Sequence, residues 1–377
     1  MFFVGAAVAM VGVAMAIQMG VNDNFLVGEL NLAGFQKGVL EAAREACGIV
    51  ALAVLAILAG LAEPLVGMAM LVLVCAGLGS YAFVPDFAWL IATSVVWSQG
   101  LHVWMPLPAS MTLSLAEPGR AGFRLGQVRA AGSAGFAIGI VMALGLTLVG
   151  VRIRPMFLLA GAAAFLGAMA CLGVPRGIKT PGPRLVFRRR YGLYYLLSLL
   201  EGWRKQIFIC FAGFLLVRVY HTKLEVMLLL FGMVQVIGYF ASPRVGRLID
   251  RVGERRILVF YFACLILFFV GYAFIRERYV LYVLFVVDNA YFVFATALTT
   301  YVSRIAPSRE HTPTLGMGVA MNHVAAVLMP LVGGLLWKYL GYQWAFLVGA
   351  AAAAVSVFVA RHVPTGRVTA HDEPVMN

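Results

Sequence analysis

Long apolar runs separated by short polar interruptions dominate the sequence from its first residues to about residue 360. Twelve runs can be counted, each close to the ~20 residues that an α-helix needs to cross a bilayer. They lie at about 2–28, 38–60, 64–85, 88–113, 123–150, 155–174, 192–218, 224–243, 256–275, 279–303, 313–340 and 342–360. The pattern predicts an all-α integral membrane protein with twelve transmembrane helices, because helices satisfy their own backbone hydrogen bonds within lipid.

The composition agrees with this pattern and disfavours several classes of protein. Apolar residues make up 62% of the 377 residues and charged residues only 12%, whereas soluble domains contain roughly half and about a quarter. Twelve spans occupy most of the chain, so little remains for a separate soluble domain. Soluble enzymes, nucleic-acid-binding proteins and disulfide-stabilised secreted domains are therefore disfavoured. The five cysteines all lie inside apolar runs, and we expect free thiols.

The net charge of +13 is spread unevenly between the two sides of the membrane. If the connections alternate between the sides, the side with both termini carries more than twice as many Lys and Arg residues as the other. Basic residues mark the cytoplasmic side, so we expect both termini in the cytoplasm. The excess of Arg over Lys is common in GC-rich bacterial genomes. We therefore expect a multi-pass protein of a bacterial inner (cytoplasmic) membrane, whose first apolar run is a span and not a signal peptide.

The longest polar interruption, Pro175–Tyr191, divides the runs into six before it and six after it. Its Pro, Gly and Arg residues suit an irregular segment that lies against anionic lipid headgroups. We predict an N-terminal six-helix bundle over 1–174, a cytoplasmic linker over 175–191, a C-terminal six-helix bundle over 192–361 and a disordered cytoplasmic tail over 362–377.

The two halves show a faint repeat. A shift of half the chain length, made without a gap, aligns Ala116 with Ala306 and Gly126 with Gly316. The same shift superposes the fourth and fifth spans on the tenth and eleventh in the same orientation. Six-plus-six membrane proteins often contain such parallel repeats, so this observation supports the division into two bundles.

Small residues recur in the fifth span. Gly132, Gly135 and Gly139 lie three and four residues apart, and Gly333 and Gly334 mirror them loosely in the eleventh span. Such spacing lets helices pack closely. A pliable gate helix between the two halves is the alternative interpretation.

The loop between the eighth and ninth spans carries a motif. It reads Gly246-Arg-Leu-Ile-Asp250-Arg251-Val-Gly253-Glu-Arg-Arg. This resembles the signature loop of the major facilitator superfamily, G-x-x-x-D-(R/K)-x-G-(R/K)-(R/K), with an acid, Glu254, where a basic residue is usual. The resemblance implies a secondary transporter in which two six-helix bundles rock around a cavity lined by the first, fourth, seventh and tenth spans.

The resemblance also implies a role for this loop in gating. In the family the acidic residue belongs to a charge latch at the cytoplasmic side, so we assign Asp250 and Arg251 to it and predict Arg304 as the partner of Asp250. The equivalent loop of the first half departs from the pattern. Glu63 is its only acid, and Ser114 occupies the position that matches Arg304. We therefore expect a one-sided latch.

Ionisable residues inside a span are costly unless they are paired or face water, so each is a functional candidate. Asp288 lies ten residues beyond Arg278 in the tenth span, about 15 Å into the membrane at 1.5 Å per residue. It has no basic neighbour on its own helix, and Asn289 stands beside it. We predict that this pair contacts a proton or substrate, because burial favours the protonated carboxyl group and lets it load and release a proton. A structural aspartate bonded to a neighbouring helix is the alternative.

The seventh span carries Glu201, Arg204 and Lys205. The acid lies three and four residues before the bases and can reach both, which allows a self-neutralised structural cluster. The triplet also has one surplus positive charge, which suits an anionic or carboxylate-bearing substrate. Both interpretations stay open at this point.

The fourth span contributes polar and aromatic candidates to the same site. Gln99 and His102 are predicted to face the cavity, with Trp97 as an aromatic wall. His102 can titrate near neutral pH, although a lone histidine in an apolar helix is as often structural. The candidate ligands come from different helices, so the spacing predicts no metal site.

The second span repeats the pairing of acid and base near the outer surface. Glu41, Arg44 and Glu45 are three and four residues apart, and Asp23 near the outer end of the first span can join them. We predict an outer gate. An ordinary interfacial ion pair is the alternative.

Several motifs are missing from the sequence. It has no G-x-x-x-x-G-K-(S/T), HExxH or GxSxG pattern, so we predict no enzyme activity, no catalytic residue and no cofactor. We predict a secondary active transporter of a small organic solute that works by alternating access, coupled to protons and operating in export or exchange, as a monomer. Uptake of an organic anion bound by Arg204 and Lys205 is one alternative, and a non-transporting membrane scaffold or sensor is another.

Overall fold

The computed structural model describes residues 1–117, 120–179 and 187–364 of the chain. Within these residues the regular structure is helical, apart from an isolated antiparallel bridge between Ala62 and Lys179. The fold class is therefore all-α, as predicted. Part of the predicted linker (180–186) and most of the predicted tail (365–377) lie outside the described residues.

Fourteen α-helices occupy the described ranges. Those of the first half are α1 (Phe2–Gly28), α2 (Gly34–Ile57), α3 (Glu63–Ser80), α4 (Phe87–Trp104), α5 (Leu107–Leu115), α6 (Ala121–Leu148) and α7 (Ile153–Cys171). Those of the second half are α8 (Gly192–Arg218), α9 (Leu224–Val252), α10 (Glu254–Phe274), α11 (Arg278–Tyr291), α12 (Thr296–Ile305), α13 (Ser308–Tyr339) and α14 (Tyr342–Ala360).

Two predicted spans contain short breaks. In the fourth span, Pro106 separates α4 from α5, because proline has no N–H for the helical ladder. In the tenth span, a 3-10 turn at Phe292–Ala295 joins α11 to α12. Counting each broken span once gives twelve helical segments. Nine segments of the described chain are long and apolar enough to cross a membrane, and the other three, α2, α4 with α5, and α8, carry many of the buried polar residues described below.

The signature loop is mostly helical. The apolar pattern ends near residue 243, but α9 continues to Val252. Its last turns carry Arg247, Asp250 and Arg251, which are exposed and so need no apolar partner to remain in a helix. The turn into α10 is made at Gly253, whose φ of +88° favours glycine.

The chain forms two compact units. Unit 1 contains α1–α7 together with Val217–Gly232, which is the end of α8, the following turn and the start of α9. Unit 2 contains the remaining parts of α8 and α9 with α10–α14. Within unit 1, the Asn24 side chain of α1 donates to the carbonyl oxygen of Thr222 at 3.0 Å. The boundaries predicted from the sequence for the two bundles and the linker stay predictions.

Close contacts between backbones organise unit 1. Helix α1 packs along α6 and α7, and α3 packs between α4 and α7. A Cβ atom added to Gly135 would lie 1.9 Å from the carbonyl oxygen of Ala9, and one added to Gly139 would lie 2.6 Å from that of Val13. The small residues of the fifth span therefore serve helix packing, the first of the two interpretations of this pattern.

In unit 2, α14 packs along α10 and α13. The rings of Tyr272 and Phe346 stack with their centroids 5.0 Å apart. A Cβ atom on Gly349 would lie 3.0 Å from the ring of Phe269. Aromatic side chains thus fill the contacts between α10 and α14.

The helix boundaries repeat between the halves of the chain. The shift that aligns the two halves of the sequence carries the first and last residues of α1 onto those of α8. It also carries Asn31 onto His221, in the turns that follow these helices, and the two share left-handed backbone angles of φ +50° and +51°. Helices α3 and α10 both open on an acid, Glu63 and Glu254, which are offset from that shift by a single position. The faint sequence repeat therefore corresponds to a repeat of structural elements.

Candidate functional site

A buried charge cluster lies in unit 2 between α8 and α10. Arg204, which is fully buried, donates to both carboxylate oxygens of Glu201 at 3.2 and 2.5 Å and to the Tyr261 hydroxyl at 2.8 Å. That hydroxyl donates in turn to Glu201 at 2.9 Å. The Phe292 ring packs 4.5 Å from the guanidinium. Glu201 and Arg204 meet because residues three apart share a helix face.

Asp288 approaches this cluster from α11. It is fully buried, and its Oδ1 lies 3.9 Å from Nη1 of Arg204, which is too far for a hydrogen bond. Neither its carboxylate oxygens nor that Nη1 has a hydrogen-bond partner among the described residues. The sequence left Asp288 without a basic neighbour, and the tertiary structure supplies Arg204. One guanidinium thus serves two buried carboxyl groups.

The position of Asp288 in its helix is a second reason why a negative charge on it is poorly compensated. It lies in the last turn of α11, just before the 3-10 turn of the tenth span. A helix C-terminus carries partial negative charge, which does not favour a carboxylate. Asn289 is half-buried beside it, and its Nδ2 has no partner among the described residues. This break is therefore a polar point in an otherwise apolar span.

Lys205 is bonded to a different helix from the partners of Arg204. Its Nζ donates to Oδ1 of Asn322 on α13 at 2.9 Å. The amide of Asn322 also reaches the carbonyl oxygen of Ser198 at 3.5 Å. The predicted triplet is therefore divided, since Glu201 binds Arg204 while Lys205 is bonded to α13.

A second charge cluster lies in unit 1, where the sequence predicts the outer gate. Lys37 donates to Asp23 and to Glu41, both at 2.9 Å. Arg44 donates to Glu41 at 2.7 Å and to the Tyr81 hydroxyl at 2.9 Å. The structure thus brings together three of the predicted gate residues, and it adds Lys37, which the sequence pattern assigned to a polar connection. Two acids and two bases balance each other here.

Trp97 packs within this charge cluster. Its Nε1 donates to the Tyr81 hydroxyl at 3.2 Å, and its ring lies 4.6 Å from the Arg44 guanidinium. The side chain is buried. The role of Trp97 as an aromatic wall of a substrate cavity stays a prediction; in this structure its indole packs on Arg44.

The other candidates of the fourth and second spans are half-buried. Nδ1 of His102 lies 2.8 Å from the carbonyl oxygen of Ser98, one turn earlier, so the ring satisfies its own helix when Nδ1 is protonated. Nε2 of Gln99 has no partner among the described residues. Glu45 is also half-buried on α2. The roles of these three residues stay predictions.

The two clusters share one local design. Each has a Glu and an Arg three residues apart, a tyrosine hydroxyl that bonds the Arg, and an aromatic ring against the guanidinium. They differ in the next neighbour. Lys37 compensates Glu41 in unit 1, whereas Asp288 adds an acid beside Arg204 in unit 2. The cluster of unit 2 is therefore the one with an uncompensated acid.

The ion pair made by Arg304 differs from the predicted one. Nε of Arg304, at the end of α12, donates to Glu254 at 2.8 Å. Glu254 is only 3% exposed, whereas Asp250 and Arg251 are exposed at the end of α9. The predicted partner of Arg304 was Asp250, and Glu254 takes its place because it opens α10, which packs against α12. The position where the sequence departs from the family motif is the one that forms the ion pair.

The end of the linker docks on α13. Glu310 accepts hydrogen bonds from Arg190 at 2.5 Å and from the Tyr191 hydroxyl at 2.7 Å. These bonds hold the pKa of the Glu310 carboxyl below its usual value, with Arg190 as the main cause. Residues 190 and 191, at the end of the linker, are thus tied to α13 by charge and hydrogen bonding.

Sequence reasoning missed four members of these sites. The sequence pattern places Lys37 in a connection and Glu254 at a departure from the family motif, and it does not distinguish Tyr81 or Tyr261. A usable signal existed for the tyrosines, since a buried hydroxyl in an apolar span needs a polar partner. The chain contains too many tyrosines, 14 in all, for that signal to select these two.

These features define a multi-pass membrane protein with buried charge clusters and the fold of a secondary transporter. The sequence model of the Major Facilitator Superfamily matches residues 2–317. The chain therefore belongs to the major facilitator superfamily, whose members are transporters and not enzymes. No curated protein sequence shows a significant match to it.

Solved structures of transporters share this fold. The nucleoside transporter NupG has a TM-score of 0.76 at 14% identity, with 95% of this chain and 97% of that chain covered. A bacterial homolog of the human lysosomal transporter Spinster, in an inward-facing and occupied conformation, has a TM-score of 0.74 at 12% identity, with 95% of each chain covered. A D-xylose–proton symporter has a TM-score of 0.73 at 13% identity, with 97% of each chain covered. At such identities the likeness concerns the fold alone.

Proposed function

We propose that this transporter moves a small organic solute by alternating access, coupled to protons and operating in export or exchange. Its place would be a bacterial inner membrane, with both termini in the cytoplasm and the basic linker against anionic lipid headgroups. The observation that carries the proton coupling is the sharing of one guanidinium by two buried carboxyl groups, Glu201 and Asp288.

The argument begins with the cost of buried charge. Placing an ion away from water costs several kcal/mol unless a partner and hydrogen bonds compensate it. Glu201 has that compensation from Arg204 and Tyr261, whereas Asp288 has no hydrogen bond among the described residues. A proton on Asp288 removes the uncompensated charge without moving any side chain.

Loss of that proton has a mechanical consequence. An ionised Asp288 attracts Arg204, and a movement of about 1 Å would bring the 3.9 Å contact to hydrogen-bond distance. The same movement loosens the bonds of Arg204 to Glu201 and Tyr261. Protonation would thus be linked to the packing of α8, α10 and α11. The break after α11 fits this role, since discontinuous helices carry ion and substrate sites in secondary transporters.

Two further observations bear on the coupling ion and on the anion alternative. One of the structures with this fold is that of a proton symporter, which favours protons as the coupling ion. Uptake of an organic anion by Arg204 and Lys205 is less well supported, because Arg204 is already bonded to Glu201 and Lys205 to Asn322. The anion would have to displace both bonds.

The experiment is pH-driven transport in proteoliposomes. A thermal-shift screen of nucleosides, pentoses and organic acids first selects a solute, because a ligand of the folded state raises its stability. Asp288→Asn should then lose accumulation driven by a pH gradient but keep counterflow of labelled solute. Asp86→Asn, the same change at an exposed acid that caps α4, serves as the matched control, because asparagine also caps helices.

Each competing interpretation has its own outcome. Full pH-driven accumulation by Asp288→Asn would remove the proposed proton site. Loss of binding of acids, but not of neutral solutes, on replacement of Arg204 and Lys205 by Gln would favour the anion carrier. A protein that shows no counterflow of any solute it binds would be a scaffold or sensor.

A further inference from the structure

A buried acid in unit 1 lies outside the two charge clusters. Glu63 opens α3 and is fully buried, yet neither of its carboxylate oxygens has a hydrogen-bond partner among the described residues. Its backbone N–H donates to the carbonyl oxygen of Ile178 at 2.8 Å. Beside it, Ala62 forms the isolated bridge with Lys179. Residues 178 and 179, at the start of the linker, thus lie over this end of α3.

The repeat of the fold provides a reference for this acid. Glu254 opens α10 as Glu63 opens α3 in the first half of the chain. Glu254 is paired with Arg304 at 2.8 Å, whereas Ser114 stands at the position of the first half that the repeat aligns with Arg304. The two halves therefore keep the same buried acid, and the first half lacks the matching arginine.

The groups around Glu63 do not replace that arginine. The Ser110 side chain on α5 faces the carboxyl group, but a hydroxyl is neutral and supplies no positive charge. The Lys179 side chain is exposed. Cys171 on α7 lies one turn further along α3, beside Gly67, and is a poor donor. Among the described residues packed against Glu63, none supplies a compensating positive charge.

Magnitudes decide which form of the acid is buried. An uncompensated buried carboxylate costs several kcal/mol. The N-terminus of a helix favours a negative charge by about 0.3–1 kcal/mol and by at most ~2 kcal/mol. The helix end therefore does not offset the cost, and the neutral acid is the form that fits.

We propose that Glu63 is a second proton-binding site of this protein, in unit 1 and separate from Asp288. The carboxyl group holds its proton while residues 178 and 179 cover it. It exchanges that proton with the cytoplasm when this cover opens. This protonated acid corresponds by the repeat to Glu254, which forms an ion pair with Arg304 in unit 2.

The first test compares Glu63→Gln with Glu254→Gln in purified full-length protein. Glutamine resembles a protonated glutamate, so Glu63→Gln should unfold at the same temperature as the unsubstituted protein at pH 5.5 and a few degrees higher at pH 8. Glu254→Gln removes a charge that is paired and should unfold at a lower temperature at both pH values. The folded state binds one proton more than the unfolded chain above about pH 5, so stability falls as pH rises. That part of the pH dependence should disappear in Glu63→Gln.

A gain-of-function variant provides an independent test. Ser114→Arg places a guanidinium where the repeat has Arg304, so it should raise the unfolding temperature at pH 8, and the double variant Ser114→Arg/Glu63→Gln should not show this rise. Glu63→Gln that unfolds at a lower temperature than the unsubstituted protein throughout pH 5.5–8 would overturn the proposal, because the acid would then be ionised and paired. An unchanged pH dependence in Glu63→Gln would overturn it as well. If Glu63→Gln does not fold, Ser114→Arg alone decides. An unfolding temperature at pH 8 equal to that of the unsubstituted protein would then overturn the proposal.

Discussion

Replacement of the buried arginine in each charge cluster gives the sharpest test of the difference between the two units. Arg204→Gln removes the one guanidinium that serves Glu201 and Asp288, and the three residues are buried, with exposures of 0%, 4% and 0%. Arg44→Gln is its matched control, since Arg44 has the same Glu and Tyr partners. The difference that matters here is the charged neighbour, which is Lys37 beside Glu41 and Asp288 beside Arg204.

The magnitudes follow from what each variant leaves behind. Arg204→Gln leaves Glu201 and Asp288 buried without a cation, and removing one partner of a buried ion pair costs about 3–5 kcal/mol. Arg44→Gln leaves Glu41 bonded to Lys37 at 2.9 Å. The loss is then that of hydrogen bonds to a charged group, about 1.5–3 kcal/mol. We expect Arg204→Gln to be the more destabilising change by about 2 kcal/mol.

The assay is equilibrium unfolding of both variants in mixed detergent micelles at pH 7.5, followed by tryptophan fluorescence. Repeating it at pH 5 adds a second readout, because carboxyl groups left without a cation take up protons there and the gap between the variants should narrow. Equal destabilisation by the two variants, or a larger effect of Arg44→Gln, would refute the conclusion that unit 2 holds the uncompensated acid.

Three further predictions concern other parts of the fold. Arg304→Gln should lower the free energy of unfolding by about 1–3 kcal/mol because it leaves Glu254 buried and unpaired. Arg255→Gln, at an exposed position, should change it by less than about 0.5 kcal/mol. Similar effects of the two variants in unfolding experiments would contradict a stabilising ion pair between Arg304 and Glu254. Gly135→Ala should destabilise by about 1–3 kcal/mol through overpacking against α1, and loss of less than about 0.5 kcal/mol in the same measurement would mean that the helices separate freely. The hydrogen bond from Arg124 is the main cause that lowers the pKa of Glu117 from its usual value of 4.5 to about 2. Any stabilisation by this exposed pair is therefore complete above about pH 5 and is lost as pH falls towards 2. A carboxyl titration by NMR with its midpoint near 4.5 would contradict this.

Apolar patterning was sufficient to predict the helical architecture. A membrane-spanning segment must be long, apolar and helical, so each span can be recognised from one continuous stretch of sequence. The repeat at half the chain length and the pairing of Glu201 with Arg204 are also properties of regularly spaced positions. The family follows from one short motif, and the match over residues 2–317 confirms it.

The errors arose where the sequence offers only local information. Charged residues beyond the apolar run of the eighth span were taken as a loop, although an exposed helix tolerates them to Val252. Glu254 was treated as a departure from a motif, and it forms the ion pair with Arg304.

What only the tertiary structure decided is the identity of the partners of each buried charge. Asp288 meets Arg204 across two helices, Asp23 meets Lys37 across another pair, and Glu63 meets no base among the described residues. The sequence determines that a charge lies within an apolar span and that it needs compensation. The source of that compensation depends on the rotation and packing of helices far apart in the chain, and the electrostatic cost of a buried group is set by neighbours within a few ångströms.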